Sequence, residues 1–141
     1  MIEVTLSLTE ARWAMARTGI EQPSPDSPLA DPLALVEAAP EGSPAEQAVI
    51  RGLESRGLAL SGGSVNPFLA AALEALAVPE KVWCLSLFGP AGAEMVHLAF
   101  KDGDAVECRR SSKGFALRFP LRAAEAKNWL DTRIQGARHG R

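Results

Sequence analysis

The residues of this chain best suited to chemistry are two histidines, two cysteines and a pair of aspartates around a glycine. His97 stands between Val96 and Leu98 in an apolar run. A histidine acts as a general base only when a polar partner orients it, so a packed or partly exposed sheet histidine is the plainer expectation. His139 falls in the closing stretch Ala137–Arg141, where solvation is expected. Cys84 and Cys108 each lie inside a run that reads as a strand, which suits small buried hydrophobes. Asp102 and Asp104 flank Gly103, and that triplet is hairpin chemistry before it is a metal site. Gly89-Pro90-Ala91-Gly92 leads into a strand pattern and so lacks the helix start that holds a phosphate. The sequence contains no HExxH, CxxC, GxSxG or GxxxxGK[ST] pattern. The expectation is a protein that is not an enzyme, with no catalytic, cofactor or metal site.

Length and charge narrow the classes further. The 141 residues fit one domain, 1–136, followed by a flexible basic tail at 137–141. Hydrophobic residues make up 47% and charged residues 23%, so a core needs no disulfide or metal. The formal net charge of −2 gives no general pull toward nucleic acid or an anionic membrane. The opening Met1-Ile2-Glu3-Val4 has neither the basic nor the apolar region of a signal peptide. No apolar run approaches the roughly 18 residues of a membrane span. A cytoplasmic protein with free thiols follows as the expectation.

The elements that must position these residues begin with a four-strand pattern. Lys81–Phe88, Glu94–Lys101, Ala105–Arg110 and Phe115–Phe119 read as strands, separated by turn-forming residues. A fifth strand can come from the alternating Ile2–Leu6. Ser7-Leu8-Thr9-Glu10 is a capping box that opens a helix to Thr18. Ser43-Pro44-Ala45-Glu46 and Asn66-Pro67 open two more helices, the second running to Ala77 with almost every face apolar. Pro120 is expected to open a last helix, Leu121–Ile134, stopped by Gly136. The proline-rich stretch 22–42 reads as a long loop with one helical turn at Pro32–Ala38, either a structural wrap or a binding loop. The fold class is α+β: an antiparallel meander packed with three to four helices.

Two strands carry apolar residues on both faces. Val82, Cys84, Ser86 and Phe88 alternate with Trp83, Leu85 and Leu87; Met95, His97 and Ala99 alternate with Val96, Leu98 and Phe100. Such strands are expected to be central and covered on both sides. The few helices cannot easily supply that cover, so a second copy or another protein is expected to add it. Trp83, Leu85, Leu87, Met95 and Phe100 are the candidate partner-binding residues, with core packing as the other reading. Arg109 and Arg110, beside Lys113, form a local basic cluster that is either a solvated strand end or a partner-facing patch.

The order of helices followed by a hairpin raises a winged-helix-like regulatory domain as an alternative. Its candidate recognition helix, Pro67–Ala77, carries no Lys or Arg and one Glu. Phosphate contacts dominate DNA affinity and need positive charge, so nucleic acid is an unlikely partner. A small-molecule enzyme ranks third, for want of a catalytic cluster.

Arg56-Gly57-Leu58, Gly63-Ser64-Val65-Asn66-Pro67, the helix Leu69–Ala77, Val78-Pro79 and the meander with Lys101-Asp102-Gly103-Asp104-Ala105-Val106 together resemble one half of an EspG-type protein. That family comprises cytosolic chaperones of type VII secretion. Leu6-Ser7-Leu8-Thr9-Glu10 is also similar to the family's start. The resemblance implies a sheet-centred α+β fold in which two similar halves share a sheet around a quasi-two-fold axis. It also implies a non-catalytic role, shielding the hydrophobic tip of a helical secretion substrate. This chain has about the length of one half, and self-association as a homodimer would restore the symmetry. The resemblance carries over no substrate-binding residue.

Overall fold

The computed structural model describes residues 1–90, 92–111 and 113–139. Its centre is a five-stranded antiparallel sheet in the order β1-β7-β6-β5-β4. The strands are β1 (Ile2–Ser7), β4 (Lys81–Gly89), β5 (Gly92–Lys101), β6 (Asp104–Ser111) and β7 (Gly114–Arg122). The last four form the expected meander, and β1 returns to pair with β7 from Ile2↔Phe119 to Ser7↔Gly114. Helices α1 (Leu8–Arg17), α2 (Ala30–Leu33), α3 (Pro44–Ser55) and α4 (Pro67–Ala77) lie between β1 and β4 in sequence. A small hairpin, β2 (Ala59–Leu60) with β3 (Ser64–Val65), stands between α3 and α4. A short 3-10 turn, Ala123–Glu125, leads into α5 (Ala126–His139).

Local chemistry sets these boundaries. Ser7 accepts the Glu10 backbone N–H at 3.0 Å while the Glu10 carboxylate accepts the Ser7 N–H at 2.9 Å, a closed capping box at the start of α1. Ser43 and Asn66 cap α3 and α4, each followed by Pro at the first turn. Asp102 and Gly103 both have positive φ, at 53° and 81°, and join the paired residues Lys101 and Asp104 in a two-residue hairpin. The turns at 89–92 and 111–114 each contain one position, Ala91 and Ser112, outside the described residues. Their flanks pair as Gly89↔Gly92 and Ser111↔Gly114.

The helices cover the two sheet faces unequally. One face packs Val4 and Leu6 of β1, Phe115, Leu117 and Phe119 of β7, Val106 and Cys108 of β6 and Ala99 of β5 against α1 to α4. A second cluster on the opposite face joins Val96, Leu98, Phe100, Ala105 and Leu121 to Ala126 and Trp129 of α5. Burial of each large side chain of this kind contributes on the order of 2 kcal/mol.

The loop at 22–42 wraps the end of α4. Ser24 donates its backbone N–H to the Ala77 carbonyl at 2.8 Å, and the Ser27 hydroxyl donates to the Leu76 carbonyl. Its own Leu29 and Leu33 are buried in the core, and its helical turn is Ala30–Leu33, earlier than expected.

Three expectations are corrected. Pro120 does not open a helix: β7 runs through it to Arg122, and α5 starts at Ala126. Between the pairs Glu107↔Arg118 and Ala105↔Leu121 the register shifts, with Phe119 and Pro120 in the irregular stretch. Proline has no N–H for the ladder, so strands tolerate it at such shifts. The shift turns Leu121 toward the α5 side, away from the face that holds Phe119. Second, α5 does not stop at Gly136 but continues to His139; Gly140 and Arg141 of the expected tail lie outside the described residues. Third, β4 is not a central strand but the edge of the sheet. Its two-faced apolar pattern described the side chains correctly but could not fix how many neighbours the strand has within one chain.

Candidate functional site

The helix layer of the first face stops short of β4. Along β4 the residues on that face run from Val82, half-buried against the core, to Cys84, Ser86 and Phe88, all exposed. The register places Met95 beside Ser86 and His97 between Cys84 and Cys108. Phe88 is 76% exposed and Met95 46%. The result is an uncovered sheet surface with two large apolar side chains, a thiol and a hydroxyl on paired strands. Burial lowers the His97 pKa from its ordinary 6.5, so the imidazole at the inner margin of this surface favours the neutral form. Cys108, one strand further in, is buried; desolvation, then the Glu107 charge, pushes its thiol up to about 12.

On the opposite face of the same two strands, Trp83 packs its edge on Phe100 at a centroid distance of 5.0 Å. Lys81 places its ammonium 4.7 Å from the Phe100 ring centroid. Leu85 and Leu87 are half-buried there. Further along the sheet, α5 is anchored by Glu107, whose side chain is fully buried on β6. Glu107 Oε1 accepts the Trp129 indole N–H at 2.6 Å and the Arg133 Nε–H at 3.1 Å, with a second contact from Arg133 Nη2. Arg109 lies 3.9 Å from the other Glu107 oxygen and 3.7 Å from Glu94.

No protein-family profile and no curated protein matches the sequence. A solved structure does. The chain is similar in fold to the type VII secretion system chaperone EspG5 of Mycobacterium tuberculosis, seen there in complex with a PE25-PPE41 dimer. The TM-score is 0.67 at 15% sequence identity, over 98% of this chain and 53% of the EspG5 chain. At that identity the likeness is one of fold. This chain spans about half the length of EspG5.

Within this EspG5-like fold the candidate residues separate. Met95 lies on the uncovered face; Trp83, Leu85 and Leu87 lie on the other, together with Phe100. Phe100 is 4% exposed and belongs to the core, so it offers no surface to a partner. Arg109 and Arg110 point to opposite faces as strand neighbours must: Arg109 joins the Glu107 group, and Arg110 is exposed opposite Phe115. Sequence reasoning did not select Phe88, Cys84 or Ser86. The signal was their alternation with Trp83, Leu85 and Leu87, but alternation does not say which face the helices leave bare.

The five-stranded sheet also differs from the short wing of a winged helix, and α4 buries Leu69, Leu73 and Leu76 against the core. An open groove of about 970 Å³ runs along α4, bordered by Arg17, Gly63, Ala70, Glu74 and Lys101. Lys101 pairs with Glu74 at 3.3 Å. The groove does not include His97, Cys84 or Cys108. Among the described residues, no group of three or more His, Cys, Asp or Glu is placed to hold a metal ion, and no helix is long and apolar enough to cross a membrane.

Proposed function

We propose that this protein is a non-enzymatic, cytoplasmic protein-binding domain of chaperone type. It holds the apolar surface of a helical protein partner, of the kind a secretion substrate presents, and it self-associates. The observation that carries this reading is the uncovered half of the sheet, where Phe88 and Met95 stand exposed on regular strands. Exposed apolar side chains on a fixed surface favour association with another apolar surface. Ser86 beside Met95 and the exposed Arg110 add polar groups to the surface. The fold likeness to a chaperone described in complex with a protein dimer supports the same reading.

The test is site-specific photo-crosslinking in the native host, with a benzophenone amino acid at position 88 or 95 and a control at Leu35. Leu35 is 96% exposed and lies on the proline-rich loop. Crosslinks from 88 and 95, absent from 35, to the apolar end of a helical protein are expected. Crosslinks that fail to differ from the control, or that map to no helical protein, overturn the partner reading.

A further inference from the structure

The uncovered face adjoins an unguarded sheet edge. Among the described residues β4 is paired on one side only, to β5. Edge strands in monomeric proteins carry devices against pairing: charges, prolines, bulges or a covering element. The other edge shows two of them. β1 carries Glu3, and its Thr5 carbonyl accepts a hydrogen bond from Arg56 Nη1 at 2.6 Å. From Val82 to Gly89, β4 has no charge, no proline and no register shift. It is nine residues long, and its sequence is that of an interior strand.

We propose that two copies of this chain join edge to edge through β4, antiparallel, about a two-fold axis at Leu85. This deepens the self-association reading above and rests on it. An axis perpendicular to the sheet keeps like faces together, and centring it on Leu85 overlaps the whole of Lys81–Gly89 with itself. Leu85 then meets Leu85 of the second copy, Trp83 meets Leu87, Val82 meets Phe88 and Cys84 meets Ser86. Every pair is apolar or small, the kind of cross-strand contact that stabilises a sheet. The two Lys81 residues sit at opposite ends of the joint. Each lies on the face from which Glu94 projects, as shown by the contact of Lys81 with Phe100 and the pairing of Glu94 with Leu87. The joint therefore brings no like charges together, because the two Lys81 residues are apart and each Glu94 is already 3.7 Å from Arg109 of its own copy. The two five-stranded sheets become one, and the bare surfaces around Phe88 and Met95 become a single continuous face.

The residue on the axis makes the register testable. Leu85→Lys places two ammonium groups directly opposite one another, and Leu85→Glu places two carboxylates there. Sedimentation equilibrium is expected to show a wild-type dimer, each single variant at least tenfold weaker in self-association, and recovery when the two variants are mixed. If either variant unfolds by circular dichroism, Cys84→Ser with Leu85→Cys serves instead, and mild oxidation is expected to give a covalent dimer through position 85. A wild-type dimer that both charged variants leave intact, or that position 85 does not crosslink, overturns the edge joint while self-association stands. A wild type that is monomeric at all concentrations overturns both.

Discussion

Trp129 on α5 donates its indole N–H to Glu107 on β6 at 2.6 Å, and the acceptor is fully buried. Arg133, one helical turn further on, meets the same carboxylate oxygen. One carboxylate thus fixes both the position and the rotation of the helix that covers the second face. Arg133 keeps part of its side chain in solvent, so the loss is that of hydrogen bonds to a charged group, about 1.5–3 kcal/mol. Glu107→Gln is expected to lower unfolding stability by roughly that amount, and to speed amide exchange in α5 before the other helices. Unchanged stability together with unchanged exchange in α5 would count against the anchor.

Gly114 is irreplaceable on steric grounds. It pairs with Ser7 on one side and Ser111 on the other, at φ +154°. A Cβ added there would lie 1.9 Å from the Leu6 carbonyl oxygen, so β1 would have to move. Overpacking of this kind costs about 1–3 kcal/mol. Gly114→Ala is expected to lose at least that in urea unfolding, with the earliest exchange at β1. A variant as stable as wild type would show that β1 does not sit tightly against β7.

The two thiols should behave oppositely. Cys84 is exposed, whereas Cys108 is buried with its pKa pushed up to about 12. The thiolate is the reactive form. One thiol per chain is expected to react with a maleimide at neutral pH in the folded state, and the second only in denaturant. Mass spectrometry of the labelled peptides distinguishes them. Fast native labelling of Cys108 would contradict the packing of β6.

His97 makes stability fall in acid. Burial lowers its pKa below the ordinary 6.5, so the unfolded chain takes up a proton that the folded chain resists. Well above pH 6.5 the residue is neutral in both states and contributes no slope. Below it, stability is lost progressively as pH falls toward the folded value. Unfolding free energies at about pH 7.5 and about pH 5 are expected to diverge less for His97→Gln than for wild type. An equal acid loss in both would assign the slope to other groups.

The local signals in the sequence were read with little error. Ser7 with Glu10, Asn66 with Pro67, and Asp102 with Gly103 each specify a cap or turn through bonds a few residues apart, and each stands where expected. The limits of the meander strands moved by at most three residues, most at the end of β7. What could not be read depends on distant parts of the chain. Pro120 reads as a helix start until the neighbouring strand is known. β4 reads as an interior strand because its side chains are apolar on both sides, and no residue within it says that β5 is its one neighbour. The candidate surface shares that fate: apolar alternation points to Trp83, Leu85 and Leu87, but the face the helices leave open is that of Cys84, Ser86 and Phe88.

The pairing of the first strand with the last governs the order in which the chain can be built. Residues 2–7 pair with residues 114–119, more than a hundred positions later in the chain. Closing that ladder brings together two strands separated in the chain by four helices and five other strands. Such long-range closure is slow compared with helix formation, so β1 is expected to dock after the local helices and hairpins have formed.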